Sequence, residues 1–239
     1  MDVACMRIGI LNTDTLKTEF DTKYGQYPAM FSKVLLRAEP KIEIHSYEVQ
    51  AGEYPDELDE CDAYLITGSK VSAYDDLPWI RELKNFIRTL HQHQKKLVGI
   101  CFGHQLIAEA LGGSVERAKE GWNVGIHAAT LKKNTVLFGS AEQEFNLIYN
   151  HQDQVVKIPR ESKLLASSRT CPIAMLAIGN HILSFQGHIE FDVAYAKDLL
   201  QMRRSILGED KYLKACNSLD AIPQDLKVID WILNFIKKD

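Results

Sequence analysis

The stretch Lys96-Leu97-Val98-Gly99-Ile100-Cys101-Phe102-Gly103-His104-Gln105-Leu106-Ile107-Ala108 sets one cysteine between a short apolar strand and an apolar helical pattern. In a G-x-nucleophile-x-G turn the two glycines, here Gly99 and Gly103, relieve crowding where a strand reverses sharply into a helix, and the central side chain is pushed out at the sheet edge. Cys101 is thereby expected to be pre-aimed and reachable. The N–H groups and positive dipole end of the following helix point at the sulfur and favour thiolate over thiol. The pentapeptide alone also fits a buried structural cysteine, because free cysteine packs as a small hydrophobe.

Working outward, short apolar runs bounded by turn residues recur at Arg7–Leu11, Ile42–Tyr47, Ala63–Thr67 and Leu97–Ile100. Helical patterns lie between them, at Tyr27–Ala38 and Trp79–Gln92. Alternation of this kind predicts a doubly wound α/β fold with a mainly parallel central sheet flanked by helices. From Gly125 the pieces turn short and β-like, at Gly125–Leu131, Leu147–Tyr149, Lys163–Ser168, Ala174–Ala177 and His181–Phe185, which predicts a partly antiparallel edge. Helical patterns close the chain at Asp192–Leu207 and Gln224–Lys238, with Pro223 where a helix start tolerates proline. Asp75 and Asp76 are expected to cap the helix that contains Trp79. With no repeat, low-complexity tract or linker, residues 1–239 are read as a single domain with C-terminal helices from about residue 192.

Composition narrows the classes of function. At 239 residues and 46% hydrophobic content the chain can bury a full core, and a net charge of −4 without a Lys/Arg block argues against nucleic acid or an anionic membrane surface as main partner. No apolar stretch reaches the roughly 18 residues a membrane span requires. Met1–Arg7 carries an early acid and does not resemble a signal peptide, so a cytoplasmic location is expected. The five cysteines at 5, 61, 101, 171 and 216 are scattered and never in C-x-x-C spacing, which predicts reduced thiols and neither a disulfide framework nor a zinc site.

A cysteine that transfers acyl groups needs a histidine to move protons and a third group to orient the imidazole. Among eight histidines, His188 in Ser184-Phe185-Gln186-Gly187-His188-Ile189-Glu190-Phe191 follows an apolar strand, where a doubly wound sheet presents its working residues. Glu190, two residues on, can project to the same side and hold the ring's tautomer. Alone, His-x-Glu also fits a surface pair; beside the elbow it fits a Cys-His-Glu triad. His91 and His93, at i and i+2 beside two lysines, read as a solvated helix end. His104 reads as a packing residue or one with a local hydrogen bond.

The chain resembles the class I glutamine amidotransferases, the triad glutaminases, over nearly its whole length. Gly99-Ile100-Cys101-Phe102-Gly103-His104-Gln105 matches the family's G-x-C-x-G-x-Q, Gly187-His188-Ile189-Glu190 its H-P-E element, and Ile66-Thr67-Gly68-Ser69-Lys70-Val71-Ser72 its glycine-rich turn after the third strand. Lys119–Gly125, Asn150–Val155 and Ser167–Pro172 are similar to the free-standing branch related to the amidotransferase half of GMP synthetase. Departures are Ile189 for the usual proline, Gly187 for phenylalanine, and Ser69-Lys70 for Gly-Pro. The Q-G-H element is shared with the γ-glutamyl peptidase branch, and loss of the phenylalanine is expected to open the pocket beyond a simple amide.

The resemblance implies catalysis by Cys101, His188 and Glu190, an oxyanion hole of backbone N–H groups at Phe102, Gly68 and Ser69, and substrate contacts at Gln105 and at the backbone of Asn150, His151 and Gln152. It implies no metal and no cofactor. The implied reaction is hydrolysis of the glutamine side-chain amide through a γ-glutamyl thioester, with ammonia passed to an acceptor. The chain has no G-x-x-x-x-G-K-[ST] loop or S-G-G-x-D signature, so an activating synthetase is expected on another protein. The alternatives are a self-sufficient γ-glutamyl peptidase acting on peptides or conjugates, and a non-catalytic metabolite-binding or regulatory relative.

Overall fold

A computed structural model describes residues 5–132 and 144–238; the first four residues of the N-terminal reading lie outside them. The first half alternates as expected: β1 (Arg7–Asn12), α1 (Thr18–Tyr24), α2 (Tyr27–Ala38), β2 (Glu43–Glu48), β3 (Ala63–Ile66), α3 (Pro78–Gln92), β4 (Lys96–Ile100) and α4 (Phe102–Ala110). There follow β5 (Ser114–Arg117), β6 (Asn123–Leu131), β7 (Glu144–His151), β8 (Asp153–Lys157), β9 (Ser162–Ser167), β10 (Met175–Ile178) and β11 (Ile182–Phe185). Three helices finish the chain: α5 (Val193–Leu207), α6 (Glu209–Ser218) and α7 (Asp225–Lys237).

Nine strands form one sheet in the order β2-β1-β3-β4-β11-β10-β9-β6-β7, and β5 pairs with β8 in a small second sheet. The first five in that order are parallel, and antiparallel pairing begins at β10. Strand β3 and residues Leu97–Ile100 of β4 are buried on both faces, as runs of four residues without a charge require when helices cover each side. On one face Ile80, Leu83, Ile87 and Leu90 of α3, spaced by three and four residues, pack with Leu106 and Ile107 of α4 against Tyr64, Ile66 and Leu97. On the other, α2, α5 and α7 cover Ile8, Ile10, Leu65, Val98 and Ile100.

This order decides where chemistry can sit. Because β4 lies between β3 and β11 in parallel register, the C-terminal ends of all three strands open on the same edge. The segments that leave them carry Gly68-Ser69, Cys101 and His188.

Two local expectations are corrected. The Asp75-Asp76 pair does not cap α3: Leu77 is the N-cap residue, with no side-chain cap. Pro78 opens the helix and holds the residue before it extended, so Asp76 and Asp75 fall just before the cap position; Asp75 accepts from the Ser72 N–H at 3.0 Å, and Asp76 pairs with Arg81. His91 is no solvated end, since its Nδ1 lies 2.9 Å from Nε2 of the buried His181; His93 is exposed.

Candidate active site

Cys101 sits at φ +52°, ψ −101°, outside the regions that L residues favour, in the turn between β4 and α4. Hydrogen bonds to both neighbouring strands impose that conformation: Cys101 N–H donates to Phe185 O at 2.8 Å and Gly103 N–H to Thr67 O at 3.2 Å. The flanking glycines are required by close approach. A Cβ on Gly99 would lie 2.7 Å from the Gly103 carbonyl carbon, and one on Gly103 would lie 2.5 Å from Ile66 O. The result is an α4 N-terminus seated directly on the strand ends. Phe102 is the first residue of α4, where a backbone N–H has no intrahelical acceptor.

His188 leaves the end of β11 and is fixed from three sides. Its N–H donates to Ile148 O at 2.8 Å, its Nδ1–H donates to Glu190 Oε1 at 2.7 Å, and its ring stacks on Phe191 at 3.8 Å between centroids. The second Glu190 oxygen accepts from Ile189 N–H at 3.0 Å, so the carboxylate is held although the family's proline is absent. Both side chains are at most 3% exposed. Burial disfavours the charged imidazole, but Glu190 and then Cys101 outweigh it and push the His188 pKa up to about 10. Nε2 is buried with no hydrogen-bond partner among the described residues, and it is the nitrogen left for proton transfer.

Gly68 stands against this pair. A Cβ there would meet His188 Cε1 at 3.2 Å and Cys101 Cβ at 3.8 Å. The turn is pinned from the tail of β1: Thr13 Oγ1 donates to Gly68 O at 2.8 Å, Ser69 Oγ to Thr13 O at 2.9 Å and Lys70 N–H to Asp14 Oδ2 at 2.9 Å. With the Gly68 carbonyl drawn toward Thr13, the trans peptide turns the Ser69 N–H to the opposite side. These bonds do for Ser69-Lys70 what a proline does for a turn: they fix its backbone. Gly68→Ala is expected to displace the imidazole by a few tenths of an ångström and to cut turnover about tenfold or more, with little change in thermal stability. A variant that keeps full turnover would show that the imidazole tolerates the displacement.

The substrate contacts carried over from the resemblance are Gln105 and the backbone of residues 150–152. Gln105, Asn150, His151 and Gln152 all line the cleft that opens on Cys101, but three of their side chains are occupied by the protein. Gln105 Nε2 donates to Asp153 O at 2.7 Å and to Gln186 Oε1 at 3.2 Å, so it is no free helix-surface amide. Asn150 Oδ1 accepts from Arg203. His151 accepts from Asn123 Nδ2 at 3.0 Å and donates from Nδ1 to Asp153 O at 2.8 Å, and burial pulls its pKa down to about 3. For Gln152, the carbonyl accepts from Ala118 N–H at 2.8 Å. His104 is the packing residue expected, bonded to Ser184 Oγ and Ile173 O, with burial pulling its pKa down to about 4.

Gln186 escaped the sequence reading. Fully buried, its Nε2 donates to Cys101 Sγ at 3.6 Å while its Oε1 accepts from Gln105. The available signal was an amide at the end of an apolar strand, two residues before His188. Gly187 does not open the pocket as expected, because a Cβ there would point into Leu147, 2.7 Å from its Cβ, and not into the cleft. That glycine lets β7 close over the histidine segment. Room comes from elsewhere: the cleft encloses about 500 Å³ between the Asp14–Lys17 loop, the Lys70–Ser72 turn, Trp122 and Arg203 of α5. Among the described residues, no group of three His, Cys, Asp or Glu side chains is placed to hold a metal ion.

Residues 23–201 match the model of the class-I glutamine amidotransferases. The chain is 36% identical over 187 residues to γ-glutamyl peptidase 3 of Arabidopsis thaliana, covering 74% of each. It is 35% identical over 133 residues to one of the subunits of the glutamine-hydrolysing GMP synthase of Methanocaldococcus jannaschii, covering 55% of this chain and 70% of that one. Its fold superimposes on a glutamine amidotransferase from Thermotoga maritima with a TM-score of 0.77 at 19% identity, over 98% and 99% of the two chains.

Proposed function

Because the chain belongs to the class-I glutamine amidotransferase family, we propose that it hydrolyses the γ-amide bond of γ-glutamyl peptides or conjugates with a Cys101-His188-Glu190 triad. The observation that carries the choice of substrate is the cleft. At about 500 Å³ it falls in the range, about 300–1,000 Å³, of sites that hold ligands well beyond the size of glutamine. The relatives named γ-glutamyl peptidase agree with it.

Glu190 holds His188 in the charged form, so that Nε2 carries the proton a leaving amine needs. The sulfur attacks the γ-carbonyl carbon, and the N–H groups of Phe102 and of the Gly68-Ser69 turn receive the oxyanion. As the C–N bond breaks, His188 Nε2 gives its proton to the departing amine. A thioester joins the γ-glutamyl group to Cys101. His188, now neutral, takes a proton from water as that water attacks the thioester, and collapse returns glutamate and the free enzyme. Gln186 holds the sulfur from the side away from solvent.

Glutaminase activity serving a separate synthetase is the second reading, favoured by the likeness to the GMP synthase of Methanocaldococcus jannaschii. Parallel assays of amine release from γ-glutamylglycine and ammonia release from glutamine separate the two. The peptidase reading expects kcat/KM for the peptide at least tenfold above that for glutamine. Glutamine turnover that exceeds peptide turnover would replace it with the glutaminase reading.

A further inference from the structure

The cleft is also lined by a cation for which the hydrolytic steps give no use. Arg203 projects from α5 into the space that Cys101 and His188 also line. It is half-buried, with its guanidinium carbon 4.5 Å from the centroid of the Trp122 ring and one Nη1–H donating to Asn150 Oδ1. Stacking fixes the plane of the guanidinium, and the amide fixes its rotation in that plane. Among the described residues the other N–H donors of the fork have no acceptor, which leaves them for a ligand.

Nothing among the described residues neutralises it. Its sequence neighbour Arg204 pairs with Glu209 at 2.6 Å, and Lys70, which also lines the cleft, pairs with Asp14 at 2.7 Å. No ion pair within the described residues includes Arg203. Taking an unpaired charge out of water is unfavourable, and burial already presses on this guanidinium. A rigid, half-buried cation without a counter-ion, facing a reaction site, is suited to a planar anion brought by the substrate.

We propose that Arg203 is the cleft's carboxylate anchor, set in its plane by Trp122 and Asn150, and that the substrates are γ-glutamyl amino acids or peptides carrying a carboxylate which this fork binds. The inference rests on the hydrolytic reading above and refines its substrate class. Two carboxylates qualify: that on the glutamyl α-carbon and that of the amino acid released. Asn150, carried over from the family as a substrate contact, then acts through Arg203 as a positioning residue.

The test compares γ-glutamylglycine with its two mono-amidated forms, one lacking each carboxylate, on the native enzyme and on Arg203→Met. Arg203→Met is expected to raise KM for γ-glutamylglycine ten- to a hundredfold with kcat changed less than threefold. Amidating the anchored carboxylate should cost the native enzyme the same factor and cost the variant almost nothing. Which amidation does so identifies the carboxylate. Calorimetric binding of the three compounds to Cys101→Ser and to Cys101→Ser/Arg203→Met repeats the comparison without turnover, so an absence of hydrolysis refutes the reaction while binding still judges the anchor. Equal losses for all three compounds on removing Arg203, or unchanged affinity for γ-glutamylglycine, would overturn the proposal.

Discussion

Replacing Cys101 by glycine is expected to abolish hydrolysis while making the protein more stable than Cys101→Ala. Cys101 occupies φ +52°, a conformation that costs a non-glycine residue about 1–3 kcal/mol and is maintained only because the surroundings over-determine it. Here those surroundings are the bonds from Cys101 N–H to Phe185 O and from Gly103 N–H to Thr67 O. Glycine reaches this region without the Cβ clash, so Cys101→Gly should melt about 2–4 °C above Cys101→Ala, corresponding to about 1 kcal/mol in a chain of this size. Both variants lose the sulfur, and a missing nucleophile in a triad costs on the order of 10⁶ in kcat. Thermal unfolding and turnover read the two effects separately. Equal melting temperatures would mean the elbow is not strained, and turnover within about tenfold of native would exclude Cys101 as nucleophile.

Glu190→Gln carries the second large effect. The carboxylate orients the ring through a 2.7 Å bond to Nδ1 and is the first of the influences that hold the ring charged against burial. In a serine triad, an amide at the orienting position costs on the order of 10⁴ in kcat by favouring the wrong tautomer, and a loss of about 10²–10⁴ is expected here. The variant should also change how stability depends on pH. Since the folded-state pKa of His188 is raised to about 10 from an unfolded value of about 6.5, its contribution to stability is fully present below pH 6.5 and drains away as the pH climbs toward 10. Without Glu190, burial is opposed by Cys101 alone, so this alkaline loss should shrink. Denaturant unfolding of both proteins from pH 6 to pH 10 measures it. A variant curve parallel to the native one would mean that Glu190 does not hold the proton on His188.

The parts of the site legible in the sequence are those written locally. Gly99-Ile100-Cys101-Phe102-Gly103 encodes its own turn through two close approaches that only glycine permits, and His188 with Glu190 lies within a single turn at a strand end. The strand alternation likewise exposed the parallel half of the sheet, since its buried strands are short and mostly apolar. What escaped depends on partners distant in the chain. Gln186 is hydrogen-bonded to Cys101, 85 positions away, and Arg203 to Asn150, 53 positions away. Strands β5 and β8 are short and pair only with each other, so neither shows a long apolar run. Helix α6 was hidden because Gly208 both ends α5 and begins α6, with few apolar residues in between to mark a new period. For Asp75-Asp76, the favoured capping residues were outweighed by the proline behind them.

The central claim, that Cys101 is the atom on which the γ-glutamyl group is carried, is tested most directly by a chloroketone analogue of glutamine, whose electrophilic carbon sits beside the γ-carbonyl position. Peptide mapping at intervals follows all five cysteines while residual turnover of γ-glutamylglycine is measured. The expected result is alkylation of Cys101 first, slowed by substrate and matched by proportionate loss of activity, although Cys5 is the more exposed thiol. Activity that survives full alkylation of Cys101, or alkylation of Cys5 with Cys101 untouched, would contradict it.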